Sequence, residues 1–493
     1  MEDRLLYRIQ EGLVANGRLV TLLLCLVVGT LGGLLIAFVS PLIALALVVA
    51  LAGGLVMLRS TQWGLFALIG VICLLPFGAV PIYLGFYPTF LDVVLLTLFA
   101  VWLVRALSRP DEKLISSPLD LPILIFVVLA FFSFVMGLRY GGLTKDTLRH
   151  FAEVIIAIAL YFVTVNVVRK RTQLEQVVRV IMLAGFAAAF IGVLLYFLPE
   201  TTTIRLLSSL RIFHYPAGFG VLRFIEDNPE LPMRATSTSI DPNVLGGLLI
   251  TITALTAPHL FARRPLFPRV WVALALMSMV TCMVLTFSRG SFMGLGVALA
   301  FLGVVRYRRL FFLLLVAGIA ILVLPQTQVY VQHFLEGLTG QDRATQMRMG
   351  EYYDALNLIA RYPWFGVGFA GVPSIDLYVG VSSVYLLMAE EMGLVGLGAF
   401  FLIVGLFFTQ TWRAWRRLTP DSWLDPILLG LMAALVGTLV GGIFDHYFFN
   451  LDFPHSVAFF WLTVALTMVA ARLAAQEEGI SSVSKLKALL SAG

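Results

Sequence analysis

Arginines stand in three polar stretches of an otherwise apolar chain: Arg205, Arg211, Arg223 and Arg234 before residue 242, Arg289 in the turn FSRGS, and Arg343, Arg348 and Arg361 before residue 384. A guanidinium stays charged and presents a planar fork of N–H donors that meets phosphate oxygens two at a time, so such a set suits recognition of a diphosphate. Arg289 joins two long apolar runs by a turn too short to leave a membrane surface. Arg348 opens RMGEYYDALNLIARYPWFGVG, where Met349, Tyr352, Leu356 and Ile359 recur at helical spacing until Pro363 and the following glycines. The spacing predicts a helix lying against the membrane with an arginine at its start. Arg211, Arg223, Arg234 and Arg361 are further substrate-binding candidates. Tyr352 and Tyr385 are candidates for stacking on sugar rings, although aromatic residues at a membrane interface need no ligand to explain them. Asp241-Pro242-Asn243 has the form of a helix start, with aspartate as N-cap and proline at the first helical position. Gly366-Val367-Gly368 follows no strand and reads as a turn rather than a nucleotide site.

The elements that must hold these residues are helices in a bilayer. Of 493 residues, 60% are hydrophobic and 13% charged, against about 45–50% apolar and about 25% charged in ordinary soluble domains. The net charge of +6 is dispersed in small clusters between apolar runs, which argues against a nucleic-acid surface. Cys25, Cys73 and Cys282 all lie within apolar runs, so neither a disulfide framework nor a thiolate metal site is expected. The first eighteen residues are charged and lead into an apolar run with no cleavage signature, so that run is expected to direct insertion itself.

A crossing needs about 20 mainly apolar residues. The pattern predicts an all-α, polytopic integral membrane protein with about 14 transmembrane helices, in the range 12–14, and a large, partly helical external loop. Expected spans lie near 19–39, 41–58, 62–80, 90–106, 119–136, 152–168, 177–198, 242–262, 267–287, 291–305, 310–324, 384–410, 425–443 and 455–472. This gives a cytoplasmic segment 1–18, membrane helices 19–198, an external loop 199–241, helices 242–324, a second external loop 325–383, helices 384–472 and a cytoplasmic tail 473–493. Residues 2–14 have the spacing of a short interfacial helix. With the amino terminus inside, alternate loops carry Arg59; Arg105, Arg109 and Lys113; Arg169 to Arg171; Arg263, Arg264 and Arg269; Arg306, Arg308 and Arg309; and Arg413, Arg416 and Arg417. The positive-inside rule is thus obeyed, both long loops fall outside, and both termini are cytoplasmic. Asp92, Arg179, Glu390 and Glu391 sit near expected span ends, and no internal repeat is visible. A transporter would be expected to show mid-span charge or repeat symmetry, and a scaffold subunit would need no external arginines.

The order SIDPNVLGG, TFSRGSFMGL, RMGEYYDALNLIARYPWFGVG, SSVYLLMAEEMGLVGLGAF and FDHYFFNLDFP resembles the O-antigen ligase and polymerase superfamily over residues 235–470. The resemblance implies a glycosyltransferase of the bacterial plasma membrane, acting on its periplasmic or extracellular face. Its donor would be an undecaprenyl-diphosphate-linked oligosaccharide and its acceptor a glycan or lipid-linked sugar, with no nucleic acid and no cofactor. It also implies that Arg289 and Arg348 hold the diphosphate. Ligases of the family carry a histidine and an asparagine where this chain has Ser382 and Ser383, which favours a polymerase over attachment of O-antigen to lipid A-core. In such a reaction an acceptor hydroxyl displaces the diphosphate, and candidate bases are Glu351, Asp376, His214, and Asp445 with His446. Glu351 and His446 join Arg289 and Arg348 as catalytic candidates. No DxD pair occurs in the outer loops, so metal dependence is not expected.

Overall fold

The computed structural model describes residues 59–83, 85–108, 113–325, 343–371, 381–419 and 422–491, with a few isolated positions besides. The expected interfacial helix at 2–14 and the first two expected spans fall almost wholly outside these residues, as do Cys25 and Asp376. By internal contacts the chain divides into two units, one of residues 1–60 and 81–87 and a larger one of residues 61–80 and 88–493.

The larger unit is almost entirely helical, as expected for a polytopic membrane protein. In order come α1 (Gln62–Leu74), α2 (Phe90–Ser108), α3 (Asp120–Gly137), α4 (Lys145–Val167), α5 (Arg171–Phe197), α6 (Pro242–Thr256), α7 (Arg269–Leu285), α8 (Arg289–Val305), α9 (Arg308–Val323), α10 (Arg343–Arg361), α11 (Val384–Arg417), α12 (Leu424–Phe444) and α13 (Pro454–Ser491). Among the described residues eight helices are long and apolar enough to cross a membrane, and α1, α7 and α8 are shorter apolar helices. The first polar stretch holds a short helix, Glu200–Ser209, and a hairpin of β1 (Arg223–Phe224) with β2 (Met233–Arg234), paired so that Arg223 faces Arg234. The segment after Arg472, expected as a cytoplasmic tail, is helical and continues α13 to Ser491.

The centre of the bundle is α13, whose crossing is 94% buried, with α6 and α12 beside it, while α2 at 22% lies on the periphery. α12 packs chiefly on α8 and α6, and α13 on α4. Small residues make these approaches possible. A Cβ at Gly294 would come within 2.7 Å of the Gly437 carbonyl, and one at Gly437 within 2.8 Å of the Gly294 carbonyl, so two backbones touch there. Cys73 and Cys282 are buried in the core, as their apolar surroundings predict.

The expected single crossing at 384–410 is broken. Gly393 has φ 68° and ψ −177° inside α11. The Tyr385 ring stacks on Phe401 with centroids 5.6 Å apart, whereas sixteen positions of continuous helix would separate them by about 24 Å. The chain therefore turns back at Gly393, and a short helix of residues 384–392 leans on the long one after it. The reason lies in the segment after α10. The N–H groups of Val367 and Gly368 donate to the carbonyls of Glu390 and Glu391 at 2.7 and 3.0 Å, and those of Leu394 and Val395 donate to Pro363 and Trp364 at 2.7 and 3.3 Å. This strap satisfies the backbone groups that the break would leave bare in an apolar setting. Ser133 Oγ on α3 also donates to the carbonyls of Phe365 and Glu391.

Candidate functional site

Four helix ends meet in one place. Asp241 caps α6, its carboxylate accepting from the N–H groups of Asn243 at 2.7 Å and Val244 at 3.1 Å, as the Asp-Pro-Asn sequence predicts. Gly247 is needed next because the Tyr447 ring fills the space a Cβ would take, 2.6 Å away. At the start of α8, Ser288 and Ser291 share a hydrogen bond of 2.9 Å. A Cβ at Gly290 would lie 2.8 Å from that of Phe444, so the turn carrying Arg289 sits directly against the end of α12. The residue after Phe444 is Asp445, whose carbonyl accepts from Val384 N–H at the start of α11 at 3.1 Å.

Arg234 ties these pieces together. Its Nε donates to the Thr286 carbonyl and its Nη2 to Asn243 Oδ1, each at 2.7 Å. Burial pushes its pKa below the ordinary arginine value, and the nearby carboxylates of Asp241 and Asp445 oppose that shift. Three non-glycine residues around it are held in the left-handed region, Ser237 at φ 52°, Ile240 at 59° and Phe287 at 52°. For a β-branched residue such as Ile240 this is uncommon and costs of order 1–3 kcal/mol, so the surrounding bonds over-determine the loop. Arg223 reaches the same loop, its Nε donating to the Ile240 carbonyl at 3.4 Å.

α10 lies across this junction. It is helical from Arg343 among the described residues, so Arg348 lies within it rather than at its start. Arg348, Glu351 and Tyr352 share one face at spacings of three and four. Arg348 Nη2 is 4.0 Å from Asp445 Oδ2. Glu351 Oε2 accepts from Ser382 N at 3.0 Å and from Ser382 Oγ at 2.7 Å. The Tyr352 hydroxyl donates to the carbonyls of Ser382 and Ile443, both at 3.3 Å. His446 Nδ1 stands 3.7 Å from Asp445 Oδ1, outside hydrogen-bond range, so the adjacent pair makes no aligned dyad in this state.

Of the residues singled out from sequence, the structure brings together Arg234, Arg348, Glu351, Tyr352 and His446, with Arg223 beside them and the backbone of Arg289 at the junction. Arg211 is exposed in the 3-10 turn 210–213. Arg361 is exposed at the end of α10, thirteen positions or about 20 Å of helix beyond Arg348. Tyr385 turns its hydroxyl inward, donating to the Leu439 carbonyl at 2.6 Å, while its ring stacks on Phe401. His214 lies exposed after the turn that holds Arg211. No sequence signal pointed to Asn243 as partner of Arg234, to the Ser382 to Glu351 bonds, or to Asp445 as the group all four ends surround. Glu390 and Glu391, expected near a span end, are buried beside the break, and both oxygens of Glu390 lack a hydrogen-bond partner among the described residues.

Asp445 makes the site sensitive to pH. Burial raises its carboxyl above the ordinary value, while His446 and then Arg348 pull it down. An acid whose pKa rises on folding favours the folded state while protonated. Its contribution is therefore full below the ordinary carboxylate range and is lost as pH rises through the raised value. His446→Ala removes the larger of the two opposing influences, so that loss is expected to extend to higher pH. Melting temperature followed against pH in parent and variant reads this directly, and a displacement towards lower pH would contradict the coupling.

These features define a polytopic α-helical membrane protein with a basic, buried site where helix ends converge. Residues 272–401 match the family model described as O-antigen ligase, which supports the resemblance to the O-antigen ligase and polymerase superfamily. The matched region runs from α7 into α11 and contains Arg289, Arg348, Glu351, Tyr352 and Ser382. No curated protein matches the chain.

Proposed function

We propose that the chain is a glycan polymerase which grips the diphosphate of an undecaprenyl-linked oligosaccharide at Arg348 and Arg289 and transfers the glycan to an acceptor sugar hydroxyl. The observation that carries this is Arg348 set beside the junction where α8 and α11 begin, neither with a side-chain cap. Helix N-termini carry partial positive charge and N–H donors, so with a guanidinium they favour a dianionic leaving group. Ser288 gives α8 no side-chain cap, which suits the N–H groups of its first turn to donate to phosphate oxygens. As the bond from the anomeric carbon to the diphosphate oxygen breaks, its electron pair goes to the diphosphate, and fixed cations stabilise that charge without a metal.

The acceptor hydroxyl bonds to the anomeric carbon as it loses its proton, and Glu351 is the base best placed to take it. Ser382, standing where ligases carry histidine, holds that carboxylate by two hydrogen bonds, so the general base is supplied by α10 instead. The site then faces the periplasmic or extracellular side, with both termini in the cytoplasm.

Purified protein is incubated with undecaprenyl-diphosphate-linked repeat units, with and without lipid A-core and in the presence of a chelator. A ladder of lengthened lipid-linked chains is expected, reduced about 100-fold or more by Glu351→Gln. Transfer to lipid A-core alone would make the protein a ligase. An unchanged donor with no measurable binding would turn attention to transport.

A further inference from the structure

At the other end of the bundle a cleft of about 380 Å³ opens between the ends of α11, α13 and α4 and the chain leading into α3. About 30 Å of α12, twenty-one residues, separates this end from Asp445, so the cleft belongs to neither the donor nor the acceptor site. Arg413 and Arg417 stand one turn apart on α11, and Arg472 on α13 completes the basic lining. The Arg472 guanidinium is fixed, its Nη1 donating to the Val165 carbonyl at 3.1 Å and its Nη2 to the Val168 carbonyl at 2.6 Å, which caps the end of α4. Ser116, Ser117 and Gln410 add neutral polar groups, and no acidic side chain lines the cleft among the described residues. The acids nearest in sequence are engaged elsewhere, Asp120 accepting from Ser117 N–H at 2.8 Å and Glu477 from the Trp423 indole and from Ser422 Oγ.

The remaining wall is apolar, formed by Ile115, Val165, Met468 and neighbouring alanines. Three guanidiniums lining one cleft favour an anion, their fork geometry favours phosphate, and an apolar wall at the end of a membrane helix suits an acyl glycerol backbone beside that phosphate. From this juxtaposition we infer that the cleft binds a phosphate-bearing anion, and that its apolar side makes the headgroup of an anionic glycerophospholipid the fitting occupant. Such a lipid would hold α4, α11 and α13 together from the face opposite the chemistry.

The test uses the full chain in detergent, with native mass spectrometry of the parent and of Arg413→Gln/Arg417→Gln. Both arginines are exposed, so the double variant is expected to fold. Phosphatidylglycerol is added in one arm, phosphatidylcholine in a second, and inorganic phosphate in a third. The parent is expected to retain phosphatidylglycerol about tenfold more than phosphatidylcholine, and the double variant to lose that preference. Lysines at both positions should restore part of it. Displacement of the lipid by millimolar inorganic phosphate, in the parent only, would identify a soluble phosphate compound as the occupant of the same site. Equal retention of the two lipids by the parent, or an unchanged preference in the double variant, would overturn the assignment.

Discussion

Arg348→Ala is expected to lower glycan transfer by about 100-fold or more while leaving a folded, monodisperse protein. Stability and catalysis draw on this arginine differently. In the free protein Arg348 meets Asp445 only at 4.0 Å, with its side chain 28% exposed. At the limit of ion-pair distance and with its guanidinium partly in solvent, Arg348 is expected to matter less to folding than to transfer. A guanidinium facing a leaving diphosphate, by contrast, acts where charge develops and costs nothing to reorganise. Arg289→Ala should behave alike, and lysine at either position should rescue poorly, because an ammonium lacks the two-pronged fork. Donor binding and turnover are measured for each variant. Transfer within a few-fold of the parent in both alanine variants would remove the diphosphate assignment.

Gly393→Ala is the second large effect, and it acts through the fold. With φ 68° and ψ −177° the position lies in a region that residues with a side chain scarcely adopt, at a cost of order 1–3 kcal/mol. A Cβ would also collide with the backbone of Trp364 and Phe365. Relief requires the 363–368 strap to move away, giving up four backbone hydrogen bonds at roughly 1 kcal/mol each. Together these rival a large share of a typical folding free energy of about 5–15 kcal/mol. Little monodisperse protein should survive, and what does should transfer poorly. Gly398→Ala, five residues on and facing open space, is the matched control and should resemble the parent. Equal melting and equal transfer for the two variants would show that the turned-back helix is dispensable.

The all-helical membrane fold was legible because apolar runs and their turn residues leave little else to build. The α6 start shows this best, since Asp241, Pro242 and the glycines after them each have one structural task and perform it. Two features were hidden for physical reasons. MAEEMGLVGLGAF is apolar enough to pass for continuous helix, and its break is imposed by hydrogen bonds from a strap some thirty residues earlier. The helix preceding Arg348 was missed because residues 343–347 are mostly polar, and the spacing signal begins only with Met349. Within the site, the arginines could be named because they stand in loops where the charge pattern of the sequence does not lead one to expect them. Their ranking could not, because it depends on which helix ends converge on Asp445. Nor could sequence say which helices lie innermost, since α2 and α13 are both apolar and lipid hides the difference.

Residues 384–392, the part of α11 before its break, cover about 13 Å. That is under half of a hydrocarbon core of about 30 Å, so they cannot cross and instead form an inner wall under α10. Asp445, only 7% exposed behind that wall, is shut off from the ionic atmosphere. Mobile ions weaken interactions between exposed charges beyond about 8–10 Å but reach enclosed ones poorly. The influence of Asp445 on its basic neighbours Arg234 and Arg348 should thus persist at salt concentrations that would screen the same charges in an open patch.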